Sequence, residues 1–146
     1  MIQRLGLAFL VALSLCSPLL AVDAPDWNAT PGKVCSSKDS DFDGYFYPAK
    51  VARCKRHVVK TAKEKVAETY NVPEGDWERY EFDHLIPLCA GGSNSIKNLW
   101  TQPLDEAKDK DKIEDSVCRR MKAGTLSQRQ AIREIKQWFD SRRARR

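Results

Sequence analysis

Histidine is scarce in this chain: there are two in 146 residues, His57 and His84, so any imidazole chemistry falls on one of two positions. Cysteine never occurs in a close pair, since Cys16, Cys35, Cys54, Cys89 and Cys118 are widely spaced. Structural zinc sites draw their ligands from pairs about two to four residues apart, so the spacing argues against a four-cysteine zinc centre. Beyond the N-terminus no apolar run approaches the roughly 20 residues needed to cross a bilayer as a helix. No internal repeat is visible. The charge imbalance is small, +5 at neutral pH. That permits contact with a polyanion without requiring it.

The N-terminus reads as an export signal. Arg4 precedes an apolar run from Leu5 to Leu15, which is too short for an anchor, and cleavage after Ala21 suits the small-residue rule. Cys16 does not read as a lipid-anchor cysteine, because Leu15 stands before it where a small residue is expected. Residues 1–21 are therefore expected to be the leader and residues 22–146 a single domain of 125 residues, with no membrane segment left. The expected location is secreted or periplasmic. Only Arg4 is lost with the leader, which leaves a charge of +4. Four cysteines also remain, an even number in an exported chain, and this reads as two disulfides. Of three connectivities, Cys35 with Cys54 and Cys89 with Cys118 is preferred, because each bridge then ties an irregular segment to the element that follows.

Residues 22–50 are rich in Pro, Gly, Asp and Ser and read as irregular. Asp39, Asp41, Asp43 and Gly44 resemble the start of a calcium loop, but the bidentate glutamate needed at its end is replaced by Lys50. From Ala49 to Tyr70 the apolar residues Val51, Val58, Val59, Ala62, Val66 and Tyr70 recur at helical spacing, which predicts a helix from near Pro48. His57 on that helix reads as a surface or packing residue, since no acid or second histidine lies one turn away.

Pro73-Glu-Gly75 ends the helix, and Arg79 to Leu88 is extended, with alternation through Tyr80-Glu81-Phe82-Asp83. Gly91-Gly92-Ser93-Asn94 supplies turn residues for positive backbone angles, and Asn94 is explained by that tolerance alone. Ile96 to Leu99 is the expected return strand. Two helices follow: Leu104–Met121, closed by Gly124, and Ser127–Arg142, with Ser127 as N-cap and Gln130 three residues on. The expected fold is α+β: an N-terminal helix, a β-hairpin with its following helix, and a C-terminal helix, stapled by disulfides.

Chemistry concentrates between Tyr80 and Trp100. Cutting a phosphodiester needs an activated water, a cation against the charge of the transition state, and help for the departing oxygen. Asp83 is an oxygen ligand for a cation, and the adjacent His84 can take a proton near neutral pH. Asp83-His84-Leu-Ile-Pro87-Leu, then Gly91-Gly92, then Asn98-Leu99, resembles the HNH endonucleases of the ββα-metal fold, over a core of about residues 77–122 and most closely between residues 80 and 100. Upstream of Trp77 the resemblance is negligible. It implies that Asp83 ligates a divalent metal, that His84 is the general base, and that Asn98 holds the hairpin loop so that His84 is oriented. The family's third signature residue, a His or Asn at the start of the next helix, has no counterpart between Thr101 and Glu114. Glu106 is the expected replacement, with Asp105 as the alternative. An oxygen-rich set of this kind favours Mg²⁺ or Mn²⁺ over zinc.

The expected activity is metal-dependent hydrolysis of DNA, with RNA as a second substrate. Little sequence specificity is expected, since no separate base-reading domain fits in the chain. Lys108, Lys110, Arg142 and Arg143 are the candidate nucleic-acid contacts, against the alternative of solvated faces and a frayed tail. Trp100 reads as hairpin packing. The rival function is a non-catalytic secreted module on the same scaffold that binds nucleic acid or protein, and the missing third ligand favours it. A protein inhibitor or immunity partner is a further expectation that one chain does not test.

Overall fold

The computed structural model describes residues 24–47 and 50–144. The expected leader, with Cys16, lies outside the described residues. Four strands and three α-helices follow one another: β1 (Phe42–Phe46), β2 (Val51–Cys54), α1 (Lys60–Thr69), β3 (Tyr80–His84), β4 (Leu99–Pro103), α2 (Leu104–Lys122) and α3 (Gln128–Arg143). The architecture is α+β, with two separate two-stranded antiparallel sheets, β1 with β2 and β3 with β4.

The first sheet corrects the reading of residues 22–50 as irregular and of Ala49–Tyr70 as one helix. Phe46 pairs with Val51, Tyr45 with Ala52 and Phe42 with Cys54, and a bulge lies between Phe42 and Tyr45. Val51 and Cys54 are buried, and Cys54 is bridged to Cys35, so the hairpin is held by packing and by a covalent tie. Both needs are met by a strand as readily as by a helix, and four residues are too few for the two periods to be told apart. Helix α1 therefore starts only at Lys60. His57 precedes it, on an exposed linker.

Both preferred disulfides are present, Cys35–Cys54 and Cys89–Cys118, each with Cα atoms 5.7 Å apart. Such bridges suit an oxidising compartment. Among the described residues no helix is long and apolar enough to cross a membrane. The acids of the calcium-like segment diverge. Asp39 accepts from the Ser36 amide at 2.7 Å, Asp41 accepts from Asn94, and Asp43 pairs with Arg53 and Lys55.

The core lies between the β3–β4 hairpin and the helices. Trp100 of β4 is fully buried and meets Phe139 of α3 edge-on, with ring centroids 5.5 Å apart. Ile135 and Ala131 continue that face of α3, and Val117 and Met121 supply it from α2. The Ser127 cap forms as expected, with a reciprocal bond from Gln130. The N-terminal segment is clasped to α3: Trp27 Nε1 donates to Asp140 at 3.1 Å, and the Arg143 guanidinium lies over the Trp27 ring and donates to the Pro25 carbonyl. Arg142 pairs with Glu106 and Asp109 of α2. The two arginines described at this end of the chain are thus engaged within the fold rather than forming a loose cationic tail.

Candidate functional site

Strand β3 ends on Asp83 and His84, which pair with Trp100 and Leu99 across the ladder. Alternation sends the two side chains to opposite faces, and both are buried. Between the strands runs a loop from Leu85 to Asn98, and Asn98 holds it. Its side-chain oxygen accepts from the Ile86 amide at 2.9 Å, and its nitrogen donates to the carbonyls of Ile86 at 3.0 Å and Ser93 at 2.9 Å. The two ends of the loop are therefore tied through one fully buried amide.

The paired glycines have different reasons. Gly91 takes the left-handed conformation, φ +81°, that the turn demands. Gly92 is needed for closeness instead: a Cβ there would lie 1.8 Å from the Ile86 carbonyl oxygen. Asn98→Ala would strip three buried backbone groups of their partners. At about 1–3 kcal/mol for each unsatisfied group, a loss of at least 3 kcal/mol is expected, to be read from urea denaturation followed by tryptophan fluorescence.

His84 is oriented by a residue whose sequence position suggested only turn geometry. Its Nε2 meets Asn94 Oδ1 at 2.9 Å. Asn94 Nδ2 donates to the Asp41 carboxylate and, at 2.7 Å, to the Lys55 carbonyl. Since both partners of Nδ2 are acceptors, Oδ1 is the accepting end, and the proton of neutral His84 is assigned to Nε2. That leaves the Nδ1 lone pair, which is buried and has no hydrogen-bond partner. Burial pushes the His84 pKa below its ordinary value and outweighs the bond to Asn94, so the neutral ring is favoured. Asn98, by contrast, acts on the loop and reaches His84 only through it.

On the other face, Asp83 belongs to a cluster with the buried Lys110 and the half-buried Glu114 of α2. Lys110 Nζ donates to both carboxylates and, at 2.8 Å, to the backbone carbonyl of His84. Its side chain is 2% exposed, so Lys110 is an interior ion and not a solvent-facing phosphate contact. Burial opposes its charge, yet Asp83 and Glu114 more than offset this and raise its pKa. Glu114 is pushed up to about 7 by burial first and by Asp83, against the pull of Lys110. Glu81 also lies above its ordinary value, through burial and the charge of Asp83, with Arg56 opposing.

The predicted ligand Glu106 sits elsewhere. Its carboxylate is 3.5 Å from Arg142, one helical turn before Lys110 and about 6 Å along the axis. Asp105 is exposed, as is Lys108. The carboxylate of α2 that shares a cation with Asp83 is Glu114, which the family resemblance touched without assigning it a role. Its signal was present in sequence as the i, i+4 pairing of Lys110 and Glu114.

Among the described residues the group whose ligand atoms best approach one another is Cys35, Asp39 and Cys54, all within 4.8 Å. Both sulfurs are joined to each other and offer no thiolate. In comparisons with known proteins, no family model, no curated protein and no solved structure matches the chain.

Proposed function

We propose that this protein is an exported, metal-dependent endonuclease of the HNH type, in which the β3–β4 hairpin and α2 form a ββα-metal unit. The observation that carries the reading is the state of His84. One ring nitrogen is held by Asn94 and the other is buried with its lone pair unpartnered, one residue from an interior carboxylate–cation cluster. In this reading Nδ1 takes the proton of the attacking water. Asn94 and Asp41 keep the ring in the required tautomer, and Asn98 keeps the loop from shifting beneath it.

The donor set fits a hard divalent ion. Asp83 Oδ2, Glu114 Oε1 and the His84 carbonyl are all oxygens, and they already converge on one positive charge, the Lys110 ammonium. Asp83 and Glu114 would hold Mg²⁺ or Mn²⁺ better than zinc, with Glu114 in the role first expected of Glu106. A bound ion would supply positive charge against the developing charge on the phosphoryl and leaving oxygens. The substrate is DNA, with RNA as a second substrate. Both offer the same phosphodiester to the site.

The position of Lys110 also supports the rival reading, a non-catalytic module on this scaffold, because an ammonium already balances the carboxylates. Oxidised protein without its leader, incubated with plasmid and with RNA, separates the two. Cleavage is expected with Mg²⁺ or Mn²⁺ and should stop with EDTA. Substrate left intact under every metal would reject the nuclease.

A further inference from the structure

Two open grooves, of about 870 Å³ and 550 Å³, meet along the linker between β2 and α1 and share His57 and Val59. The larger runs between Arg56, Lys63 and the outer part of β3, and Glu81 and Phe82 form its far wall. The smaller continues past Asn94, the residue bonded to His84, toward Lys33. Joined at those two residues they form a channel with Asn94, the partner of His84, in one part and Glu81, two residues before Asp83, in the other; His84 and Asp83 themselves are buried and line neither.

The walls differ in chemistry. Arg56 and His57 are exposed and make no hydrogen bond or ion pair among the described residues, and Lys63 meets only the Phe82 ring, 5.6 Å from its centroid. Arg56 lines the same groove as Glu81, two residues before Asp83. Beside them lie Trp77 and Phe82, edge to face at 4.9 Å, with the indole nitrogen of Trp77 buried and unpartnered. The acids of the smaller groove are engaged, Asp39 with Ser36 and Lys33 and Asp41 with Asn94. Glu78 and Glu81 lie in the larger groove with the aromatic residues.

We infer that this channel binds a single strand of nucleic acid. Arg56 and Lys63 take its phosphates, and the Trp77–Phe82 side takes a base. The inference rests on the nuclease reading for its purpose but not for its test. Cations without an ion-pair partner beside aromatic rings are the arrangement that holds an unpaired strand, since phosphates need donors and exposed base faces need a ring. A duplex keeps its base faces stacked and gains nothing from the aromatic side. Arg56, which shares the larger groove with Glu81, is the contact expected to seat the phosphate nearest the end of β3.

The test is fluorescence anisotropy of a labelled thymidine 12-mer with the oxidised protein in EDTA, which stops metal-dependent cutting. The single strand is expected to bind more tightly than the same length of duplex. Arg56→Ala with Lys63→Ala should weaken it about tenfold or more and lower the salt slope by about 1.4. Trp77→Ala should weaken it by about fivefold or more. Arg129→Ala with Arg133→Ala, which removes the same charge from exposed positions of α3, should change affinity less than threefold. Equal losses in the two double variants, or tighter binding of the duplex, would overturn the inference. Binding through the channel without any cleavage in Mg²⁺ or Mn²⁺ would sustain it while removing the nuclease reading. Cleavage with an unchanged affinity in Arg56→Ala with Lys63→Ala would do the reverse.

Discussion

His84→Ala is expected to lower the rate of phosphodiester cleavage by about a thousandfold, because general-base assistance contributes roughly 10²- to 10⁴-fold. The assay is initial-rate hydrolysis of plasmid in Mn²⁺, with KM measured separately, and the loss should fall on kcat. The ring is buried, so its removal also leaves a cavity. His84→Gln keeps more of the volume and an amide that can still meet Asn94, and it should be as inactive while melting closer to the parent. If either variant retains parental kcat, proton transfer does not run through this ring. Asn94→Ala distinguishes positioning from chemistry. It leaves Nδ1 in place but frees Nε2, so kcat should fall by an intermediate factor, about tenfold, with KM unchanged.

Lys110→Met should have a large effect on stability and on metal binding together. The substitution leaves Asp83 and Glu114 in the interior without their shared cation, and breaking a buried ion pair from one side costs about 3–5 kcal/mol. The same change vacates the point on which the oxygens converge. Mn²⁺ should then stabilise Lys110→Met more than the parent, by about 2–3 kcal/mol at a concentration a hundredfold above its dissociation constant. In the parent a divalent ion must first displace the ammonium. Thermal melting with and without Mn²⁺ reads both effects without reference to activity. A variant as stable as the parent in EDTA would remove the buried cluster, and one that Mn²⁺ leaves unmoved would remove the divalent ion from this site.

Much of the site's frame was legible from short-range chemistry. Asp83-His84 at the end of an alternating run, two glycines and Asn98 announced a strand, a tight loop and a return, and the loop closes through Asn98. The return strand itself begins only at Leu99, after a 3₁₀ turn over Ile96–Asn98, because Asn98 bends inward to reach Ile86. The disulfide pairing followed from even cysteine number and segment order. Helix α3 followed from its cap and its apolar stripe. By contrast, β2 was read as the start of α1, since Val51 fits both periods and its partner strand carries Asp43 and Gly44, residues of the calcium-like turn segment.

What the sequence by itself determined is therefore local: which residues turn, cap and pair with near neighbours, and which carry acid, base or thiol. The tertiary structure decided how those groups are used. Asn94 became the partner of His84 because Asp41 and Lys55, 53 and 39 positions away, hold its amide from the other hairpin. Glu114 rather than Glu106 joined Asp83 because the packing of α2 sets which helical turn lies beside β3. Arg142 and Arg143 were taken up by Glu106, Asp109 and Trp27. The physical reason is common to all three. Side-chain chemistry and backbone preference act over a few residues, whereas the partner of a buried polar group is whatever folding brings within hydrogen-bond reach, and burial makes that choice obligatory.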